Sequence, residues 1–242
     1  AVSGDAEFRA GLKTLRDGDA GAALVSLSES LEQGGRDPAV YHALGNSLYR
    51  LDRKGEAAAA WRRGLLLAPR DGDIAANIDH VRGQFRDRID PPTSHRGVFF
   101  WQSQMAPIES GAISSVALAI AFGIGLFGRI RRLRHRAPLA STANWVAGIA
   151  AALGVLLLVS TADAFYGRQG AVITAEEVEV RSALGPAGVS LFVLHEGAEV
   201  LVEDRTDTHH LVALSDGRKG WVSASALLST NPAEPFPINR QP

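Results

Sequence analysis

The residues of this chain that could do chemistry are scattered, and none of them completes a known catalytic pattern. His209 and His210 are adjacent, with Asp207 nearby. Neighbouring side chains on a strand point to opposite faces, so the two histidines make a poor metal-binding pair. The segment GIGLFG at 123–128 satisfies the Gly-x-Gly-x-x-Gly pattern of dinucleotide loops, but it lies inside an apolar run instead of between a strand and a helix. The sequence therefore predicts a non-enzymatic protein with no cofactor and no metal site.

Composition excludes further classes of protein. The chain has 242 residues, 25 Lys plus Arg, 26 Asp plus Glu, a net charge of −1 and no cysteine. Without cysteine there is no disulfide, thiolate nucleophile or Cys-ligated metal site in these residues. Near-neutral charge argues against a nucleic-acid partner, because proteins that bind phosphate backbones usually carry a basic face.

Two long uncharged runs dominate the middle of the sequence. A helix of about 20 residues crosses a hydrocarbon core of about 30 Å. We predict transmembrane helices at 110–128 and 139–162, and the alternative is a pair of buried core helices in a soluble domain. Small residues at a four-residue spacing let apolar helices approach closely. The residues predicted to pack the two helices together are Ala119, Gly123, Gly148 and Ala152.

Between the two runs lies a strongly basic connection, the predicted loop 129–138. It carries five arginines: Arg129, Arg131, Arg132, Arg134 and Arg136. Short arginine-rich loops stay cytoplasmic, so both flanking regions are expected on the opposite side of the membrane. A nucleic-acid patch is the alternative explanation. Because the sequence begins at Ala1 without methionine, we expect that an export signal was cleaved before it.

Residues 1–90 contain a repeat with a period of thirty-four residues, which aligns Gly11 with Gly45 and Leu27 with Trp61. The second copy resembles the tetratricopeptide repeat at Tyr41, Leu44, Gly45, Ala57, Trp61 and Pro69. The resemblance implies a solenoid of helix pairs. A third helix, from Ile74 to about Arg88, is expected to cap the stack.

The resemblance to tetratricopeptide repeats also implies a groove for partner peptides along the first helix of each pair. The residues carried over to this groove are Phe8, Arg16, His42, Asn46, Tyr49, Arg50 and Asn77. Side-chain amides could hold a ligand backbone because they both donate and accept hydrogen bonds. The alternative is that these are polar helix residues in contact with water.

An aromatic cluster precedes the first apolar run. The predicted linker 91–109 contains Phe99, Phe100 and Trp101, and aromatic residues are enriched at membrane surfaces. We predict a short interfacial helix at 95–108 that anchors the repeats near the bilayer. A hydrophobic staple in a soluble protein is the alternative.

Residues 169–230 contain short Val- and Leu-rich runs separated by glycines, a pattern typical of an all-β unit. These runs resemble bacterial SH3-like domains, with Val180-Arg181-Ser182, the 194–197 turn, Asp216-Gly217 and 220–222 carrying the match. Asp216-Gly217 predicts a tight hairpin turn, and Trp221 is expected to be a large core side chain. The Pro-rich tail 231–242 is expected to be extended.

The predicted fold class is a multidomain membrane protein with a tetratricopeptide solenoid, a two-helix transmembrane hairpin and an all-β SH3-like barrel. This order of units resembles the BatE-like membrane proteins of the Bacteroides aerotolerance operon. The resemblance implies a place in the bacterial inner membrane with periplasmic N- and C-terminal domains. It also implies neighbouring membrane proteins with von Willebrand factor A (VWA) domains, a MoxR-type AAA+ ATPase and a role in envelope assembly or stress tolerance.

We therefore expect a membrane-anchored scaffold for protein–protein interaction, with VWA-domain membrane proteins and the lipid bilayer as its partners. Two alternatives stay open at this point. One is a peptidoglycan-binding module that recruits a cell-wall hydrolase, and the other is a structural subunit of a larger membrane complex.

Overall fold

The structure is a computed structural model that describes residues 4–87, 99–135, 141–164, 170–185 and 188–237. The chain forms two compact units. Ala1–Val98 and Arg168–Pro242 together make the first unit, and Phe99–Gly167 makes the second. The chain therefore leaves the first unit, forms the second and returns to complete the first.

The N-terminal part of the first unit, residues 4–87, is called here the helical segment. Its helices are α1 (Asp5–Arg16), α2 (Ala20–Glu32), α3 (Pro38–Arg50), α4 (Lys54–Leu67) and α5 (Gly72–Arg82). Aspartates cap three of them, as when Asp71 accepts a hydrogen bond from the backbone N–H of Ile74 at 3.0 Å. Pro69 follows the end of α4, as expected. Helix α5 is shorter than predicted, because the chain leaves the helix at Gly83 and Phe85 becomes buried.

Glycines allow the helices of each pair to lie close together. A Cβ added to Gly11 would lie 2.7 Å from Cγ of Leu27, and one added to Gly45 would overlap the Trp61 indole. The thirty-four-residue period aligns the first of these contacts, between Gly11 and Leu27, with the second, between Gly45 and Trp61. Ala23, Leu24, Leu27, Leu44, Leu48 and Ile74 are almost completely buried between the helices. The structure thus confirms a helical N-terminal region whose core follows the repeat.

The C-terminal part of the first unit, residues 170–237, is called here the sheet segment. Its strands are β1 (Gly170–Ile173), β2 (Glu177–Arg181), β3 (Ser190–His195), β4 (Glu199–Arg205), β5 (His209–Ala213), β6 (Lys219–Ser223) and β7 (Leu227–Ser229). They form an open antiparallel sheet in the order β3-β2-β6-β5-β4-β1-β7. The all-β prediction is confirmed at this level.

The hairpin between β5 and β6 turns where the sequence predicts. Gly217 has a φ of 88°, and the N–H of Leu214 donates to the carbonyl of Arg218 at 2.9 Å. The expectation for Trp221 is wrong, because this side chain is only half-buried. Strand alternation places its neighbour Val222 in the core, where it is 1% exposed.

The second unit contains two long apolar helices, α6 (Pro107–His135) and α7 (Ser141–Ala162). Both are long and apolar enough to cross a membrane, with mean hydropathy of 1.9 and 2.1. Of the predicted loop 129–138, Arg129 to Arg134 lie in the last turns of α6, and Arg136 lies outside the described residues. The helix continues because nothing between Gly128 and His135 interrupts its hydrogen bonding.

The aromatic segment before α6 is a single 3-10 turn, Phe100–Ser103. The predicted interfacial helix at 95–108 is therefore wrong over its described part, and residues 95–98 lie outside it. Pro107 begins α6 itself, in the first-turn position that proline favours.

The contact between α6 and α7 uses serine hydroxyls and one glycine. Ser114 Oγ donates to the carbonyl of Gly154 at 2.7 Å, and a Cβ on Gly154 would lie 2.7 Å from Cγ of Leu118. A buried hydroxyl needs an acceptor in apolar surroundings, so the serines fix which helix faces meet.

The predicted packing residues lie outside this contact. Ala119 and Ala152 are exposed, and a Cβ on Gly123 or Gly148 would meet no atom within 4 Å. Gly123 lies about 180° around the helix axis from Ser114, which explains its absence from the contact. Small residues at the right spacing were therefore not sufficient to identify the packed face.

Candidate interaction surface

Helices α3 and α5 present neighbouring polar side chains that hydrogen-bond to each other. Nδ2 of Asn77 lies 3.0 Å from Nε2 of His42 and 3.1 Å from Oδ1 of Asn46. The amide nitrogen of Asn77 therefore joins two side chains of α3. The repeat thus brings together three of the seven predicted groove residues, all of them partly exposed.

A second polar cluster continues the first toward the end of α5. The hydroxyl of Tyr49 lies 3.1 Å from Nε2 of His80 and accepts a hydrogen bond from Nε2 of Gln84 at 2.8 Å. The rings of Tyr49 and His80 meet edge-on at 5.9 Å. His80 and Gln84 were missed by the sequence reasoning: His80 lies three residues after Asn77 in α5, and Gln84 follows the end of this helix. We call these six residues the polar ladder: His42, Asn46, Tyr49, Asn77, His80 and Gln84.

The other predicted groove residues have different roles. Nη1 of Arg50 donates to the carbonyl of Leu15 at 2.6 Å, at the C-terminal end of α1. Phe8 packs against the helical core, and Arg16 is exposed at the end of α1. The structure therefore places the candidate ligand-binding surface on α3 and α5.

The sheet segment packs directly on the helical segment, chiefly on α4. Arg63 is fully buried there, and its guanidinium donates to three carbonyls of the sheet segment. These bonds go to Ser229 at 2.9 Å, Glu234 at 2.6 Å and Pro235 at 3.1 Å. The ring of Phe236 lies 4.8 Å from the guanidinium carbon. Burial lowers the pKa of Arg63 from its ordinary value.

Acidic side chains from the sheet segment complete this interface. Oε1 of Glu199 lies 2.6 Å from Nη2 of Arg62, and Oε1 of Glu196 accepts from the N–H of Gly55 at 2.7 Å. Burial raises the pKa of the Glu196 carboxyl above its ordinary value, although the Gly55 N–H and Lys54 act in the opposite direction. The carboxylate of Glu196 lies at the first turn of α4, where the partial positive charge of the helix N-terminus attracts it.

The same interface continues at the end of the helical segment. Oδ2 of Asp87 accepts from the backbone N–H of His195 at 2.8 Å and lies 3.1 Å from its Nδ1. The ring of Phe85 packs so closely on Gly197 that an added Cβ would overlap it, and the φ of 86° at this position also favours glycine. The helical and sheet segments thus form one unit with a shared core that includes Val172 and Leu228.

The outer face of the sheet contains a small cavity of about 270 Å³. Its lining combines an aromatic side chain with basic groups: Arg181, Ala183, Leu184, Gly185, His209 and Trp221. His210 lies on the other face of β5, where burial lowers its pKa, so the adjacent histidines do not share a site. No group of three potential metal ligands occurs in the part of the chain that the structure describes.

The predicted membrane-surface residues hold the start of the second unit to α7. Nε1 of Trp101 donates to Oγ of Ser160 at 3.0 Å, and the rings of Phe99 and Trp101 meet edge-on at 5.5 Å. The side chain of Phe100 lies outside the described part of the chain.

Comparison with known proteins gave no match: no family model, no curated protein and no solved structure matches this chain.

Proposed function

We propose that this chain is a non-enzymatic membrane scaffold that binds partner proteins through the polar ladder. In this proposal the helical segment is a tetratricopeptide solenoid, the sheet segment is an SH3-like domain, and α6 and α7 form a transmembrane hairpin. The observation that carries the proposal is the polar ladder. It brings amides, imidazoles and a phenol from α3, α5 and the residues just after α5 together on one partly exposed surface.

The polar ladder suits an extended peptide because its groups can exchange partners. Asn46 and Asn77 now bond to each other, and each amide could instead pair with a backbone N–H or C=O of a ligand. The ring of Tyr49 lies 5.8 Å from that of Trp61 in α4, and Asn77 bonds to both His42 and Asn46, so the ladder is already ordered before it binds a ligand.

The contacts of Arg63 support the membrane arrangement independently. They join residues before the apolar helices to residues after them, so both segments must lie on the same side of any membrane. An even number of crossings satisfies this requirement, as in a hairpin of α6 and α7. The arginines at the end of α6 favour the cytoplasm for the connection and the periplasm for the first unit.

The partners proposed for the ladder are VWA-domain membrane proteins of a MoxR-type system. The test is purification of the tagged full chain from native membranes, with copurifying proteins identified by mass spectrometry. Asn46→Ala with Asn77→Ala should remove these partners, whereas Asp79→Ala, on the exposed side of α5, should retain them. Equal recovery with both variants would contradict binding through the ladder.

The cavity on the sheet supports a second candidate function, the binding of a cell-wall peptide. Trp221 offers a stacking surface, and Arg181 offers a positive charge for a carboxylate. The full chain in detergent should then sediment with purified peptidoglycan, and Trp221→Ala should reduce the bound fraction several-fold. Sedimentation that is unchanged in Trp221→Ala would contradict this candidate.

A further inference from the structure

The last turns of α6 carry a ring of exposed arginines to which the proposed scaffold function assigns no ligand. We call Arg129, Arg131, Arg132 and Arg134 the arginine collar. All four are exposed, and their side chains make no hydrogen bond or ion pair with another described residue. The sequence has no acidic residue between Glu109 and Asp163, so neither apolar helix supplies a counter-ion.

The collar surrounds the helix. At about 100° per residue, Arg131, Arg132 and Arg134 lie about 200°, 300° and 140° around the axis from Arg129. A protein partner or a nucleic-acid groove would be met by one side of a helix, whereas this charge faces every direction. Exposed apolar residues lie between the arginines, since Ile130 is 41% exposed and Leu133 is 76% exposed. Mixed arginine and apolar surface is typical of the membrane interface.

Helix lengths place the collar at the depth of lipid headgroups. A helix of 29 residues is about 43 Å long, against about 30 Å for a hydrocarbon core. The hydrogen bond between Ser114 and Gly154 makes those residues level. Counting from it at about 1.5 Å per residue in both helices, Ser141, the first residue of α7, is level with about residue 127 of α6. The collar therefore extends beyond α7 and has no described neighbour.

We propose that the arginine collar binds the phosphate groups of anionic phospholipids at the membrane surface. Guanidinium groups pair with phosphate in a bidentate geometry and stay charged at every physiological pH. Basic residues beside a membrane helix each contribute to the attraction of anionic lipid, and the contributions add. The occupant is a shell of headgroups around α6 instead of a single ligand. This inference depends on the membrane anchoring in the proposed function, so its test must measure insertion separately.

The experiment uses the full chain with Leu133→Cys, which introduces the one thiol of the protein. A fluorophore on this thiol reports from the middle of the collar. The protein is reconstituted into vesicles of phosphatidylcholine with 20 mole per cent of brominated lipid, either phosphatidylglycerol or phosphatidylcholine. Bromine quenches only nearby fluorophores, so the ratio of the two quenching signals measures the local enrichment of anionic lipid.

We expect quenching by brominated phosphatidylglycerol to exceed that by brominated phosphatidylcholine about two- to fivefold, and to fall as salt rises. Replacing the four collar arginines by glutamine should bring the ratio near one, and replacement by lysine should retain a ratio above one. Arg9→Gln, at an exposed arginine of the first unit, is the matched control and should leave the ratio unchanged.

Two further measurements separate the possible failures. Flotation after alkaline extraction reports insertion, and its loss in the parent protein would refute membrane anchoring and the collar proposal together. With insertion intact, a quenching ratio of one in the parent protein would overturn the collar proposal alone. Inorganic phosphate should displace no more lipid than chloride at equal ionic strength; stronger displacement would overturn the lipid assignment in favour of a free anion.

Discussion

Arg63 holds the C-terminal end of the sheet segment to α4, and Arg63→Met tests this directly. Methionine fills similar volume but donates no hydrogen bond, so the carbonyls of Ser229, Glu234 and Pro235 lose their shared donor. Hydrogen bonds to charged groups contribute about 1.5 kcal/mol or more each, which gives about 4.5 kcal/mol for three. Relief of the buried charge offsets part of this loss.

The expected net cost of Arg63→Met is therefore about 2 to 4 kcal/mol in the free energy of unfolding of the first unit. For a unit of this size, that corresponds to a fall of about 4 to 16 °C in Tm. Arg63→Lys should lie between wild type and Arg63→Met, because one ammonium cannot reproduce the planar fork of a guanidinium. Arg9→Met removes an exposed arginine that pairs with Asp5 and should change stability by less than about 0.5 kcal/mol.

The assay is thermal unfolding of the full chain in detergent, followed by hydrogen exchange measured by mass spectrometry. Exchange should increase first in residues 229–237, because their carbonyls lose the buried donor. If Arg63→Met melted within 1 °C of Arg9→Met, with unchanged exchange in 229–237, the reasoning about this interface would be refuted.

Three further predictions follow from other parts of the structure. Because folding raises the Glu196 pKa above 4.5, the free energy of unfolding should decrease as pH rises from about 4.5 through the folded-state pKa. Glu196→Gln should flatten this decrease in denaturation curves between pH 4 and 8, and an unchanged slope would contradict the assignment. Gly154→Val should destabilise the hairpin of α6 and α7 by about 1 to 3 kcal/mol, because the added side chain would collide with Leu118. Gly123→Val is the control and should leave the stability of the hairpin unchanged. Circular-dichroism melts in micelles compare the two variants, and equal effects would count against the observed contact. Deleting residues 72–90 should abolish the cooperative melt of the helical segment, and a cooperative melt at the wild-type temperature would count against a capping role for α5.

The sequence predicted the elements of the fold better than the contacts between them. Period and composition identified the paired helices and the two apolar runs, because each pattern arises within one element. The partner of Arg63 could not be identified, since an arginine on a helix is usually exposed and its acceptors lie more than one hundred and sixty residues away. Gly123 was misassigned for a related reason: spacing shows that a helix can be approached closely, but the hydroxyl of Ser114 determines which face is approached.

The candidate site was predicted in part for the same physical reason. His42, Asn46, Tyr49 and Asn77 were found because the resemblance to tetratricopeptide repeats places them on the first helix of a pair. Their hydrogen bonds to each other, and the continuation through His80 and Gln84, depend on the distance between α3 and α5. That distance is set by packing in three dimensions and leaves no signal in the period.

The most direct test of this account is the topology of single cysteines, because it requires both segments of the first unit on one side of the membrane. Arg9→Cys, Ser225→Cys and Leu133→Cys each add one thiol at an exposed position. A membrane-impermeant maleimide applied to spheroplasts should label the first two equally and should label Leu133→Cys only after permeabilisation. Labelling of Arg9→Cys without Ser225→Cys, or the reverse, would contradict the hairpin and with it the proposed scaffold.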